Sequence, residues 1–256
     1  MKSFYRLLQH EFQLLLRPVL VLICLAILVP LPLLRGVTKG FTPYAPKMRY
    51  EELFASSGAE TMFFVMVILL FASFAVVFYG SYWRSKSIYT YLSLPVRREY
   101  LYIAKLLAFA ICILLLIAAE LIGIRWGYSY AIGRLETESG NALMHNGLFL
   151  AFVRSDFFRF LFPVSFSRIF SSFSLILSAA TGTYYAVLCE RSRRFFGLGA
   201  VAAALYLILR VASYRLNETV LYYTAKSLYP SSILLLLLGG FFVWHSIVLY
   251  KKGAIA

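Results

Sequence analysis

Apolar residues fall into six long runs along the chain, and shorter polar segments separate these runs. The runs cover about 19–34, 62–82, 105–123, 169–188, 195–214 and 229–250. Most of them approach the roughly 20 apolar residues that an α-helix needs to cross a bilayer. We therefore predict an all-α, polytopic membrane protein with six transmembrane helices, built as a single domain over residues 1–256.

The segment before the first run has a different pattern. Over residues 2–17, polar and apolar side chains fall on opposite faces of a helix, which is typical of an amphipathic helix lying in the membrane surface. Glu11 is the exception, because it falls among the apolar residues. We favour a local ion pair between Glu11 and a neighbouring helix over a direct role of Glu11 in transport.

Three polar segments are predicted to lie on the outer side of the membrane, 35–61, 125–164 and 215–228. Within the second, residues 147–161 are aromatic but interrupted by charges. This pattern favours one helix in the outer interface over a further membrane span.

The distribution of charge sets the predicted orientation. The net charge is +14, but the basic residues cluster at the ends of the apolar runs and not on one polar face, so we expect no nucleic-acid partner. If both termini lie inside, the cytoplasmic segments carry a net charge of +10 and the outer segments +3. Cytoplasmic loops are enriched in Lys and Arg. We expect a multi-pass protein of the plasma membrane with both termini in the cytoplasm.

Motifs for catalysis on this chain are missing from the sequence. It contains no GxxxxGK[ST] loop for nucleotide phosphates and no HExxH zinc motif, and its three cysteines have no CxxC spacing. We expect no enzymatic activity, no metal site and no cofactor on this chain.

The most basic loop, residues 84–105, separates the second and third runs. Ser87–Leu94 can form a short helix that Pro95 ends, after which Arg97 and Arg98 open the next helix. A short helix across the cytoplasmic mouth of two spans can receive force from a soluble partner.

Two stretches of the sequence resemble the permease subunits of type-2 ABC exporters. The first is Tyr91-Leu-Ser-Leu-Pro-Val-Arg-Arg-Glu-Tyr-Leu-Tyr-Ile-Ala-Lys105, which is similar to the family's loop between spans two and three, including its cytoplasmic coupling helix. The second is His10-Glu-Phe-Gln-Leu-Leu-Leu-Arg-Pro18, which is similar to the family's entry to span one. The resemblance implies that the coupling contact with the ATPase is made by Leu92, Leu94, Pro95, Val96, Arg97 and Arg98.

The resemblance also implies an assembly and a mechanism. The chain would be one membrane half of a bacterial exporter, paired with a second permease copy or a related permease and with two ABC ATPase subunits that hold ATP-Mg. It would move an amphipathic or peptide-like substrate outward by alternating access, with antibiotics and lipids as further candidates. The alternatives are an ATP-independent membrane sensor or assembly protein, and a secondary transporter.

Two ionisable residues are predicted to lie deep in the membrane, Glu120 and Arg210. Each lies 15 residues from the cytoplasmic end of its span, about 22 Å at 1.5 Å per residue. Intramembrane charges are costly in lipid and face protein or water. Equal depth allows an ion pair that holds two helices together, which we favour, and a charge on the substrate path is the alternative.

Overall fold

The computed structural model describes residues 2–39, 49–84, 98–139, 147–192, 196–216 and 228–251, and every regular element in these ranges is a helix. Within the described ranges, six helical stretches are long and apolar enough to cross a membrane, which agrees with the number of spans that the sequence predicts. These candidate spans are Phe4–Thr38, Ala59–Tyr79, Glu99–Arg134, Phe166–Arg191, Phe196–Leu216 and Leu228–Tyr250.

We number the α-helices in chain order. They are α1 (Lys2–Leu28), α2 (Pro30–Thr38), α3 (Tyr50–Ser56), α4 (Ala59–Tyr79), α5 (Arg98–Ser139), α6 (Gly147–Arg154), α7 (Asp156–Leu161), α8 (Phe166–Arg191), α9 (Phe196–Leu216) and α10 (Leu228–Lys251). A π-helical turn, Gly80–Arg84, follows α4.

The N-terminal helix is longer than the sequence pattern indicates. Residues 2–17 and the start of the first run form one helix, α1, which continues through Pro18. The interruption comes instead at Val29, and Pro30 opens α2. A proline is tolerated in the first turn of a helix because its missing N–H has no partner there. That residues 2–17 lie in the membrane surface stays a prediction.

The third span and the predicted outer helix also differ from the sequence pattern. α5 is a single helix of 42 residues and extends well beyond 105–123 at both ends. The segment 147–161 forms two short helices, α6 and α7, and not the single helix that we predicted. Ser155 separates them because its Oγ accepts a hydrogen bond from the backbone N–H of Phe158 and so caps α7.

The chain divides into two compact units. The first contains Met1–Arg17, Phe71–Cys112 and Val164–Ala256, and within it α8 packs against both α9 and α10. Serines and a glycine on the buried face of α8, among them Ser174, Ser178 and Gly182, keep this packing close.

The second unit contains Pro18–Leu70 and Ile113–Pro163. Its short helices α3 and α7 meet through aromatic side chains. The ring of Phe54 stacks on that of Phe157 and packs edge-on against that of Phe158. Phe63 of α4 packs edge-on against Phe157. Aromatic packing of this kind stabilises α3 and α7, which are too short to be stable alone.

Candidate functional site

The first unit contains a buried ion pair between α1 and α5. Oε1 of Glu11 lies 3.4 Å from Nζ of Lys105, and the side chains are 5% and 2% exposed. Removing two charges from water is costly, so a pair this deeply buried persists only where the partners neutralise each other. The local pairing of Glu11 that the sequence favoured is therefore present, and its partner is Lys105.

Apolar and aromatic contacts surround the ion pair. The ammonium group of Lys105 lies 4.6 Å from the ring centroid of Phe78, close enough for a cation–π interaction. Leu7 of α1 packs against Leu101 and Ala104 of α5. These contacts exclude water from the pair and join three helices, α1, α4 and α5, around Lys105.

A group of buried aromatic residues extends this contact to α8 and α10. The ring of Tyr102 stacks on that of Tyr184, with centroids 5.1 Å apart, and Tyr184 also packs against Phe78. The hydroxyl groups of Tyr184 and Tyr250 share a hydrogen bond. The side chains around Lys105 thus contact four further helices of the unit.

These contacts bring together the helix ends that the charge pattern assigns to one side. The guanidinium of Arg191, at the end of α8, lies 5.7 Å from the ring centroid of Trp83, just after α4. Phe4, near the start of α1, packs edge-on against Tyr100 at the start of α5. The helical ends that flank residues 85–97 therefore lie beside the start of α1 and the end of α8. That this side is the cytoplasmic one stays a prediction.

The predicted coupling residues fall largely outside the described part of the chain. The segment Ser87–Leu94, predicted as a short helix, and the residues Leu92, Leu94, Pro95, Val96 and Arg97 lie outside the described residues. Arg98 is the first residue of α5, in agreement with the predicted helix start. The structure thus gives the two flanking helices and leaves the coupling contact a prediction.

The structure gives Glu120 and Arg210 different surroundings. Glu120 is 1% exposed, and neither of its carboxylate oxygens has a hydrogen-bond partner among the described residues. Arg210 lies on the exposed face of α9. No ion pair is found for either residue within the described ranges, so an ion pair between them stays a prediction that nothing in the structure supports.

The buried arginine of α9 is Arg215, which the sequence pattern places in the outer segment 215–228. Its side chain is 4% exposed, and Nη1 donates a hydrogen bond of 2.7 Å to Oγ of Ser172 on α8. The spacing of residues along α9 is consistent with the burial of Arg215. Arg215 follows Ala204 and Val211, the other buried residues of α9, at the spacing of one helical face.

The sequence pattern also does not predict a second polar contact of the first unit. The hydroxyl of Tyr185 lies 2.6 Å from Nδ1 of His245, which joins α8 to α10. Gly197 of α9 lies so close to this pair that an added Cβ would overlap the Tyr185 hydroxyl and Sγ of Cys189. In the sequence, His245 is an isolated histidine within an apolar run, and this pattern does not indicate which residue it contacts.

Comparison with protein-family models, with curated proteins and with solved structures found no match. The resemblance to exporter permeases is therefore carried by the two stretches of sequence quoted above.

Proposed function

We propose that this chain is the membrane-spanning subunit of an ATP-driven exporter of the type-2 ABC class. The observation that carries the proposal is the position of the two stretches that resemble this class. Glu11 belongs to the first stretch, residues 10–18, and Lys105 closes the second, residues 91–105. The two residues form the buried ion pair of the first unit.

The contacts around Lys105 suggest how force from an ATPase would enter the membrane. The loop 85–97 is covalently continuous with the end of the α4 segment and the start of α5. Displacing the loop would therefore move Lys105, which contacts Glu11 and Phe78. Separating a buried charge from its partner is costly, so α1 and α4 would move together with α5.

Under this proposal the working transporter holds two membrane subunits and two ATPase subunits. Closure of the ATPases on ATP-Mg would press on Leu92, Leu94, Pro95 and Val96, with Arg97 and Arg98 at the rim of the contact. This movement would switch the assembly between inward-open and outward-open states. The chain itself would neither bind nor hydrolyse ATP.

The proposed substrate is an amphipathic or peptide-like molecule. The chain contains 23 Phe and 19 Tyr, which is a high aromatic content. Aromatic side chains combine a large apolar surface with, in tyrosine, a hydroxyl that can hydrogen-bond, and they therefore suit a cargo with both apolar and polar parts.

The rival function is that of a membrane sensor or assembly protein that works without ATP. A secondary transporter is a further alternative, but the sequence lacks interrupted apolar runs at matched positions in two halves. The partner decides between these functions, since only the exporter needs an ATPase.

The test is purification of the tagged chain from membranes of its source organism in mild detergent. We expect a bound subunit that hydrolyses ATP, and we expect Leu94→Asp to lose it while Leu94→Ile retains it. Purification of a folded chain with no ATPase activity, in the wild type as in Leu94→Asp, would favour the rival functions.

A further inference from the structure

Glu120 is a buried acid in the second unit that accepts no hydrogen bond from the described residues. It lies within the candidate span Glu99–Arg134, it is 1% exposed, and both of its carboxylate oxygens lack a hydrogen-bond partner among the residues that the structure describes. An ionised carboxylate that is buried in a candidate span without a hydrogen-bond partner is strongly disfavoured, because burial withdraws it from water.

The face of α5 that carries Glu120 is closely packed. Gly127 lies two helical turns further along the same face, and Gly123 lies between them. A Cβ added at Gly123 would lie 2.6 Å from the backbone oxygen of Ala26 in α1, and one at Gly127 would lie 2.7 Å from Cδ1 of Leu34 in α2. The backbone of α5 thus approaches α1 and α2 at short range beside Glu120.

Among the residues that the structure describes, the titratable groups near this face supply no positive charge. Tyr50 of α3 interacts electrostatically with Glu120, but its hydroxyl donates a hydrogen bond of 2.8 Å to the backbone oxygen of Ile124. Burial raises the pKa of Tyr50, and a negative charge on Glu120 or on Tyr128 would raise it further. Nη1 of Arg125, on the exposed side of α5, donates a hydrogen bond to Oγ of Ser129 and not to Glu120.

We propose that Glu120 is a proton-binding site, occupied by a proton while α5 stays packed against α1 and vacated when that contact opens. A proton suits this site because it adds almost no volume to a face of α5 on which Gly123 already lies against the backbone of α1. The proposal concerns the second unit and does not rest on the exporter function.

Infrared difference spectroscopy of the purified protein at neutral pH tests the site directly. Exposed carboxyl groups are ionised at this pH, so a protonated carboxylic acid gives a separate C=O band. We expect the band in the wild type, its loss in Glu120→Gln, and its retention in Glu190→Gln, which removes an exposed acid. Glu120→Asp should keep a band at a shifted frequency. A wild type without the band, or a band that Glu120→Gln leaves unchanged, would overturn the proposal.

The pH dependence of thermal stability gives a second readout. If the folded protein holds a proton that the unfolded chain releases, its stability falls as the pH rises. We expect the melting temperature of the wild type to fall relative to that of Glu120→Gln as the pH rises above about 4.3, where glutamate in the unfolded chain releases its proton. Parallel pH profiles of the two proteins would count against proton binding at Glu120.

Discussion

The carboxylate of Glu11 and the ammonium group of Lys105 form an ion pair that is almost completely buried, with 3.4 Å between Oε1 and Nζ. The two residues belong to α1 and α5, and Lys105 also lies against the ring of Phe78 in α4. The helices α1, α4 and α5 therefore meet at one charged pair, and the α4 segment and α5 flank residues 85–97.

We first predict that replacing either Glu11 or Lys105 destabilises the protein, because the remaining residue is then buried without its ion-pair partner. Glu11→Gln leaves Lys105 charged without its partner, and Lys105→Met does the same to Glu11. Loss of one member of a buried pair costs about 3–5 kcal/mol. The double variant buries no unpaired charge and should recover much of the loss in thermal stability. Losses that simply add in the double variant would show that the two charges act independently.

The sequence predicted Glu11 as an unusual charge but could not name its partner. Helical periodicity places Glu11 on the apolar face of α1, yet it does not say which helix packs there. The sequence likewise could not show whether Glu120 and Arg210 are neighbours. Their equal depth in the membrane made them possible partners and no more. α9 buries only a narrow stripe that includes Val211 and Arg215, and Arg210 lies outside that stripe.

The six spans were predictable because crossing lipid demands long apolar runs. The ends of the helices were harder to predict from the sequence, because a helix can continue past its apolar run where neighbours or caps support it. α5 therefore extends to Ser139, whereas the side-chain oxygen of Ser155 caps α7 and separates it from α6. Residues 85–97 of the coupling loop fall outside the described residues, so the prediction of their contact with an ATPase rests on sequence.

We next predict that two glycines of α5 differ in their tolerance of alanine. At Gly123 the added methyl group meets the backbone oxygen of Ala26, which cannot move aside as a side chain can, and overpacking costs about 1–3 kcal/mol. At Gly133 nothing lies within 4 Å, so Gly133→Ala should be neutral or stabilising by up to about 1 kcal/mol. Melting temperatures in detergent compare the two. Equal effects would contradict close packing at Gly123.

The two arginines of α9 give a further prediction. Arg215 is buried and donates to Ser172, whereas Arg210 is exposed. Lysine keeps the charge but lacks the planar fork of donors, so Arg215→Lys should lower stability by about 1–3 kcal/mol. Arg210→Lys is the matched control and should have little effect on the melting temperature. A larger loss in Arg210→Lys than in Arg215→Lys would mean that the roles of the two residues are reversed.

The predicted topology can be tested by cysteine labelling. The native Cys24, Cys112 and Cys189 would first be replaced by alanine. Cysteines at Ser139 and Ser227 should then react with an impermeant thiol reagent from outside, and one at Ser192 only from inside. Labelling of position 192 from outside would exclude a cytoplasmic position for the loop 84–105.

The central claim is that the loop 84–105 couples this chain to an ATPase, and ATP hydrolysis by the reconstituted complex tests it most directly. Leu94→Asp would bury an unpaired charge in the proposed contact, while Leu94→Ile keeps the contact apolar. We predict that Leu94→Asp abolishes substrate-stimulated ATP hydrolysis or releases the ATPase, and that Leu94→Ile retains both. Normal substrate-stimulated hydrolysis by the Leu94→Asp complex would contradict the account.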